Sequence, residues 1–404
     1  MSMDDQVWIT GLGAVTPLGN DGRTFTDNLL SGRSGVQANE LMMQTTTMRV
    51  ATASISSVPA PRDWDPHDFA ARHRLEQLSL TCAAESLHDA GLWEDRESTR
   101  VGLVLGMGGE YPRVWELDIL AGGKRVFDPT RDSQSIVHRV HAHLGLCGPA
   151  VAVAAACASS GFSFSLAREW IRTGLVDICL AGGCDMITPM SYAGFYNLRA
   201  LSRREGEAQK TSRPFDRDRD GFVMGEGGVV FVLESARHAR QRGAHAYAEL
   251  AGFGSTSDAA HMVIPSTDPQ PASRAIRQAL ADAQVNPEEV DYLNAHAAST
   301  PVGDRAESRA IQLALGDATP QVPVSSTKSM TGHLLSAAAA VEVLACIAAL
   351  ERQAAPPTIN LDNPDPECAL RHIPNEAQPQ RVRVTASNSF GFGGSNVCLV
   401  LRAA

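Results

Sequence analysis

Short apolar runs alternate with amphipathic segments along nearly the whole 404-residue chain, and this alternation narrows the fold more than any other feature. "VWITGLG" (7–13), "VGLVLG" (101–106), "VDICLAGGCD" (176–185) and "GVVFVLE" (228–234) read as buried strands. Between them, "DFAARHRLEQLSLTCAAESLHDAG" (68–91) carries apolar residues at helical spacing and stops at Gly91; another helix is expected around 131–145. The second half repeats the style. A strand region at 246–258 leads to helices at 271–284 and 304–315, with "VDYLNAH" (290–296) between them. A long helix at 333–351 then precedes two closing strands, "RVRVTASNSF" and "NVCLVLR". Strands alternating with helices imply an α/β protein with helix-covered sheets. The chain is too long for one ordinary core, so it reads as two halves of similar element order, 1–250 and 251–404. The stretch 186–222 lacks sustained periodicity, and so long an irregular piece is expected to be functional.

Composition removes several classes of function. A net charge of −10 argues against nucleic acid as the main partner. No apolar run reaches the ~18 residues that span a bilayer. The most apolar helix is interrupted by Glu342, and the stretch "MSMDDQVWITG" shows neither a basic nor an apolar segment, so no signal peptide is expected in it. The cysteines at 82, 147, 157, 179, 184, 346, 368 and 398 show no paired spacing, so neither a metal site nor a disulfide framework is expected. A reduced, cytoplasmic protein is the simplest account.

The chemistry gathers at element ends. In "VAVAAACASSGFSFSLAREW" (151–170), Cys157 stands just before an amphipathic helix whose face is set by Phe162, Leu166 and Trp170. The helix dipole there favours a thiolate and lowers the thiol pKa. Taken alone, Cys157 reads more readily as a buried small hydrophobe. His296 closes a strand in "NAHAASTPVGD", and His333 opens a helix in "SSTKSMTGHLLSAAAAVE", five residues after Lys328. A cysteine, two histidines and a lysine at element ends suit acyl transfer through a thioester followed by carbanion chemistry. In "SNSFGFGGSNV" (387–397), Gly391, Gly393 and Gly394 allow backbone N–H groups to approach an anion closely; a tight strand connection explains the stretch equally well.

These segments, with "VWITGLGAVTPLGND" and "SRPFDRDRDGFVMGEGG", resemble in order the motifs of the β-ketoacyl-[acyl-carrier-protein] synthases. The likeness is to the elongating type II synthases of fatty acid synthesis and to type II polyketide ketosynthases. It implies a thiolase-like fold of two α/β halves in five layers, αβαβα. It also implies an acyltransferase that condenses an acyl chain with malonyl-[acyl-carrier-protein] by decarboxylation. By the same resemblance Cys157 is the nucleophile, and His296 and His333 serve decarboxylation with Lys328 and Glu342 behind them. Phe392 gates a mobile glycine loop that holds Phe390, Gly391 and Gly393. The N–H groups of Cys157 and Phe392 form the oxyanion hole. Thr300 and position 298 meet the phosphopantetheine arm, which the partner carrier protein brings, so no cofactor of its own is implied.

Four positions depart from the family pattern: Ala297, Ser336 and Ala339 stand for glycines, and Ala298 for a threonine. The hydroxyl lost at 298 is worth about 0.5–1.5 kcal/mol. The stretch 107–135, where acyl-pocket residues are expected, departs most. Two alternatives stay open: a non-catalytic chain-length-factor-like partner of another ketosynthase, and a non-decarboxylating, thiolase-like acyltransferase. The uncharged stretch 150–156 reads as a doubly buried strand, and the resemblance implies that it pairs with its counterpart across a two-fold axis in a homodimer; a heterodimer with a second ketosynthase-like subunit is the other arrangement. An acidic carrier protein is expected to dock on part of the set Arg62, Arg72, Arg74, Lys124, Arg125 and Arg131; a scattered, solvated surface explains these residues equally well.

Overall fold

The computed structural model describes residues 6–42, 46–62, 64–110, 115–116, 118–119, 121–123 and 135–404. The described strands are β1 (Val7–Val15), β2 (Gln37–Met42), β3 (Thr47–Thr52), β4 (Val101–Gly106), β5 (Ala150–Val153), β6 (Ile178–Asp185), β7 (Gly227–Ser235), β8 (Ala248–Ser257), β9 (Tyr292–Asn294), β10 (Pro323–Ser325), β11 (Ala354–Ala355), β12 (Arg371–His372), β13 (Gln378–Pro379), β14 (Val384–Gly391) and β15 (Ser395–Arg402). Most of them join one sheet, ordered β12-β10-β9-β14-β15-β8-β1-β7-β6-β4-β5. At its middle β1 meets β8 through only two residue pairs, Trp8 with Glu249 and Ile9 with Ala248.

Counted outward from that join, the two sides are topological copies. One side runs β1-β7-β6-β4-β5 and the other β8-β15-β14-β9-β10. Each takes the first, fifth, fourth, second and third strand of its own set. Each pairs its first three strands antiparallel and the rest parallel. The sequence division at 250 falls inside β8.

Helices complete the layers. Arg74–Asp89 covers β1, β6 and β7 from outside, and Gln270–Asp282 covers β8 and β15. Ser159–Arg172 and Ala338–Arg352 touch each other and strands of both halves, so they form the inner layer. A helix clamped between the two halves of the sheet has no solvent face. Accordingly every residue of the second from Ala338 to Leu350 is buried, Glu342 included. Its six alanines within that span let the layers close tightly. Among the described residues no helix is long and apolar enough to cross a membrane.

Several elements differ from expectation for identifiable reasons. The expected helix 68–91 is two, Pro66–Ala70 and Arg74–Asp89, because the His73 side chain accepts the Leu75 N–H and starts a new helix. The helix expected at 131–145 is described as Ile136–His143, and 131–134 lie outside the described residues. The stretch 186–222 contains the helix Pro189–Asn197, opened by a reciprocal Thr188–Ser191 cap. The helix expected from 333 begins at Ala338, because Gly332 and Leu335 take positive φ and break the chain around His333. The 150–156 stretch is not doubly buried within the protomer: β5 is an edge strand, and Ala152, Ala154 and Ala156 are exposed. The helix after Cys157 buries Ser160, Phe164, Ala167 and Ile171 fully, while Phe162, Leu166 and Trp170 are only half-buried.

Candidate active site

Cys157 sits on a tight turn between β5 and the inner helix Ser159–Arg172. Ala156 takes φ +49°, a conformation that costs a non-glycine residue about 1–2 kcal/mol. Ser159 holds the turn, its Oγ accepting the Ala155 N–H at 2.8 Å and donating to the Ala156 carbonyl at 2.6 Å. The sequence suggests Ser159 for a sharp turn by its small size, and the structure adds the two hydrogen bonds of its hydroxyl. The helix end does not make the thiol acidic. Burial pushes the Cys157 pKa up to about 11, outweighing the Lys328 charge and the Phe392 N–H that favour the thiolate.

His333 places Nε2 3.0 Å from Cys157 Sγ. Its Nδ1 accepts the Leu335 N–H at 3.2 Å. Burial and the Lys328 charge hold its pKa well below the ordinary value, so the ring is neutral. A neutral ring whose Nδ1 accepts must carry its proton on Nε2. His333 is therefore a hydrogen-bond donor toward the sulfur, not a base. The His296 ring lies 5.3 Å away at 83°, and its pKa is also driven well down by burial and by Lys328. Its buried Nδ1 has no hydrogen-bond partner among the described residues.

Behind the rings, Lys328 pairs with Glu342, whose Oε2 accepts Ser389 Oγ at 3.0 Å. Sequence reading missed Glu307 in the helix Pro301–Leu315. This buried carboxylate accepts the N–H groups of His296 (2.8 Å) and Ala297 (2.6 Å) and Nδ2 of Asn388 (3.0 Å). Burial raises its pKa to about 7. One acid in an amphipathic helix reads as a solvent contact, and only the incoming strand reveals its role.

The β14–β15 connection supplies the remaining donor. A Cβ on Gly391 would lie 2.8 Å from the Ala155 carbonyl, so the glycine lets Phe392 bring its N–H to Cys157 Sγ. Gly393 and Gly394 take φ near +85° and +82°. The loop is fastened to the segment 258–266. Gly393 N–H donates to Met262 O (2.9 Å), Asp258 N–H to Gly394 O (2.8 Å), and Asn396 Nδ2 to Asp258 Oδ1 (2.6 Å).

Two cavities meet at Cys157, and Phe195 and Phe392 border both. The first holds His296, His333, Phe390, Ala298 and Thr300, and passes along the 258–269 segment. Thr300 Oγ1 accepts the Gly303 N–H at 3.2 Å, which leaves its own proton to donate. Ala298 joins an apolar cluster with Phe222 and Leu335. The second cavity begins at Gly108, Gly109, Asp185 and Ser336. Ala339 faces Gly161 of the neighbouring inner helix.

Within the expected basic docking set, the three described arginines each have an acidic partner, Arg62 at an exposed position. Arg72 pairs with Glu76 at 2.9 Å, Arg74 with Glu226 at 2.7 Å, and Arg62 with Glu85 at 3.2 Å. Lys124, Arg125 and Arg131 lie outside the described residues, as does most of 107–135.

Comparison with known proteins agrees with this geometry. The β-ketoacyl synthase N-terminal domain matches residues 4–239, and the β-ketoacyl synthase C-terminal domain matches 247–362. A 3-oxoacyl-[acyl-carrier-protein] synthase 2 of Coxiella burnetii is 38% identical, covering 98% of each chain. The ketosynthase structure AntDE:AntF, a type II polyketide acyl-carrier protein with its ketosynthase bound to a hexaketide, superposes with a TM-score of 0.88 at 35% identity, covering 99% of each chain. The ishigamide ketosynthase/chain length factor gives 0.86 at 32% identity over 99% of each chain.

Proposed function

The chain belongs to the β-ketoacyl synthase family, and on that premise we propose the course of its reaction. It is an acyltransferase that condenses a Cys157-bound acyl chain with malonyl-[acyl-carrier-protein], releasing CO2 and a 3-oxoacyl-[acyl-carrier-protein]. The carrier's phosphopantetheine arm enters the first cavity past Thr300, and the acyl chain lies in the second. Cys157 sulfur attacks the thioester carbonyl and its proton passes to the departing arm sulfur. The charge on oxygen meets the N–H groups of Phe392 and Cys157. A malonyl arm then takes the first cavity. Its carboxylate carbon leaves as CO2, and the electron pair forms an enolate whose oxygen is held by the two neutral histidines. The enolate carbon attacks the Cys157 thioester, the carbon–sulfur bond breaks, and the sulfur leaves as a thiolate that takes a proton from solvent. No resident cofactor is required.

One observation carries this reading: an imidazole fixed as an Nε2–H donor stands 3.0 Å from a buried thiol where two cavities join. It favours an enzyme over a non-catalytic partner. A thiolase-like reaction lacks its second cysteine, since Cys398 is buried within β15 and lines neither cavity. Incubation with an acyl-carrier protein should add one acyl mass to the wild type and none to Cys157→Ala. Equal gain by the variant would refute the assignment.

The same reading places the carrier protein beside Arg199, Arg203 and Arg204. These exposed residues lie on the segment that bonds Phe222, a lining residue of the first cavity. A second copy of the chain, in the cytoplasm, covers the open edge of β5.

A further inference from the structure

The second cavity borders a carboxylate beside the nucleophile, an awkward neighbour for a hydrocarbon chain. Asp185 is 2% exposed at the end of β6. Its Oδ2 accepts both Oγ (2.7 Å) and the N–H (3.0 Å) of Ser336. Its Oδ1 accepts the Met186 N–H at 2.9 Å and lies against Gly109, where a Cβ would come within 2.4 Å of it. Both oxygens are thus covered. The hydroxyls of Thr188 and Ser191, also in the wall, are spent on each other. What remains facing the cavity is mainly apolar: Ala156, Met186, Phe195, Leu335 and Phe392.

Ser336 occupies a position where the resembled family has glycine, and a glycine there would keep the N–H but supply no hydroxyl. We propose that Ser336 is a specificity-determining residue of this enzyme, masking the Asp185 carboxylate so that the acyl cavity receives an unsubstituted hydrocarbon chain next to the thioester. Without the hydroxyl, Oδ2 keeps the N–H of residue 336 but has a free lone pair, which a hydroxyl near the chain's carbonyl would satisfy and a bare chain would not. The inference rests on the proposed acylation of Cys157.

The test compares acylation of Cys157 by octanoyl- and 3-hydroxyoctanoyl-carrier protein, followed by intact mass. Wild type should favour the octanoyl donor. Ser336→Ala should shift the ratio of the two kcat/KM values toward the hydroxylated donor by threefold or more; a smaller shift overturns the inference. If Ser336→Ala does not fold, Ser336→Cys, isosteric and a weaker donor, is judged by the same threshold. Acylation of wild type by neither donor would overturn the underlying reaction and the inference with it. Acylation with an unmoved ratio would overturn the inference alone.

Discussion

Two opposing effects act on the Cys157 thiol, and magnitude decides between them. A helix N-terminus is worth about 0.3–1 kcal/mol at ordinary exposure. Full burial moves a pKa by up to about 3–5 units, several kcal/mol. With a pKa of about 11 the group stays protonated through neutral pH, and the thiolate fraction rises with pH. Alkylation of Cys157 by iodoacetamide should therefore accelerate about tenfold per pH unit from 7 to 9, with no plateau. A plateau below pH 8 would mean that the dipole prevails after all. Cys157, His296 and His333 stood out in the sequence because each lies within a few residues of an element end in a distinctive local pattern. Glu307 and Asp185 were not, since an isolated acid looks the same in sequence whether it faces water or accepts buried N–H groups. Burial is a property of the partners that close over it.

At the scale of elements, the glycine connection and the 258–266 segment behave as one latch. Gly394 takes φ +82°, and a Cβ there would lie 2.8 Å from that of Asp258. Gly394→Ala should loosen the loop that presents the Phe392 N–H, slowing acylation of Cys157 by about tenfold for a cost near 1–2 kcal/mol. Asp258→Ala, which removes the Asn396 contact, should act in the same direction. Acylation at the wild-type rate in both, measured by quenched intact mass, would show that the latch does not govern access. Elements with clean periodicity were readable: β1, β4, β6 and β7 fall within two residues of the runs "VWITGLG", "VGLVLG", "VDICLAGGCD" and "GVVFVLE". The helix Pro189–Asn197 was hidden because its apolar residues follow no single face, being held by an end cap and by aromatic contacts such as Phe195 with Phe222. The break around His333 was hidden too, because Leu335 at φ +50° is a conformation its sequence does not announce.

At the scale of the molecule, topology explains why the reacting groups come from distant segments. The duplicated halves set two inner helices side by side, with Cys157 at the start of one and His333 just before the other. The duplication was visible in the sequence only as a similar order of elements, because strand order and pairing direction are set by contacts between distant segments. The free edge of β5, with its exposed alanines, fits a two-fold partner. Light scattering should give about twice 43.0 kDa, and Ala154→Arg should reduce it toward the single-chain mass. A single-chain mass for the wild type at micromolar concentration would exclude that pairing. In the proposed reaction, acyl transfer and decarboxylation use separable groups around the junction of the two cavities. The most direct test of this separation measures CO2 release from malonyl-carrier protein beside acylation of Cys157 in His296→Ala and His333→Ala. Loss of one preorganised donor should lower decarboxylation on the order of a hundredfold or more while Cys157 still takes the acyl group. Decarboxylation at the wild-type rate in both variants would contradict the account.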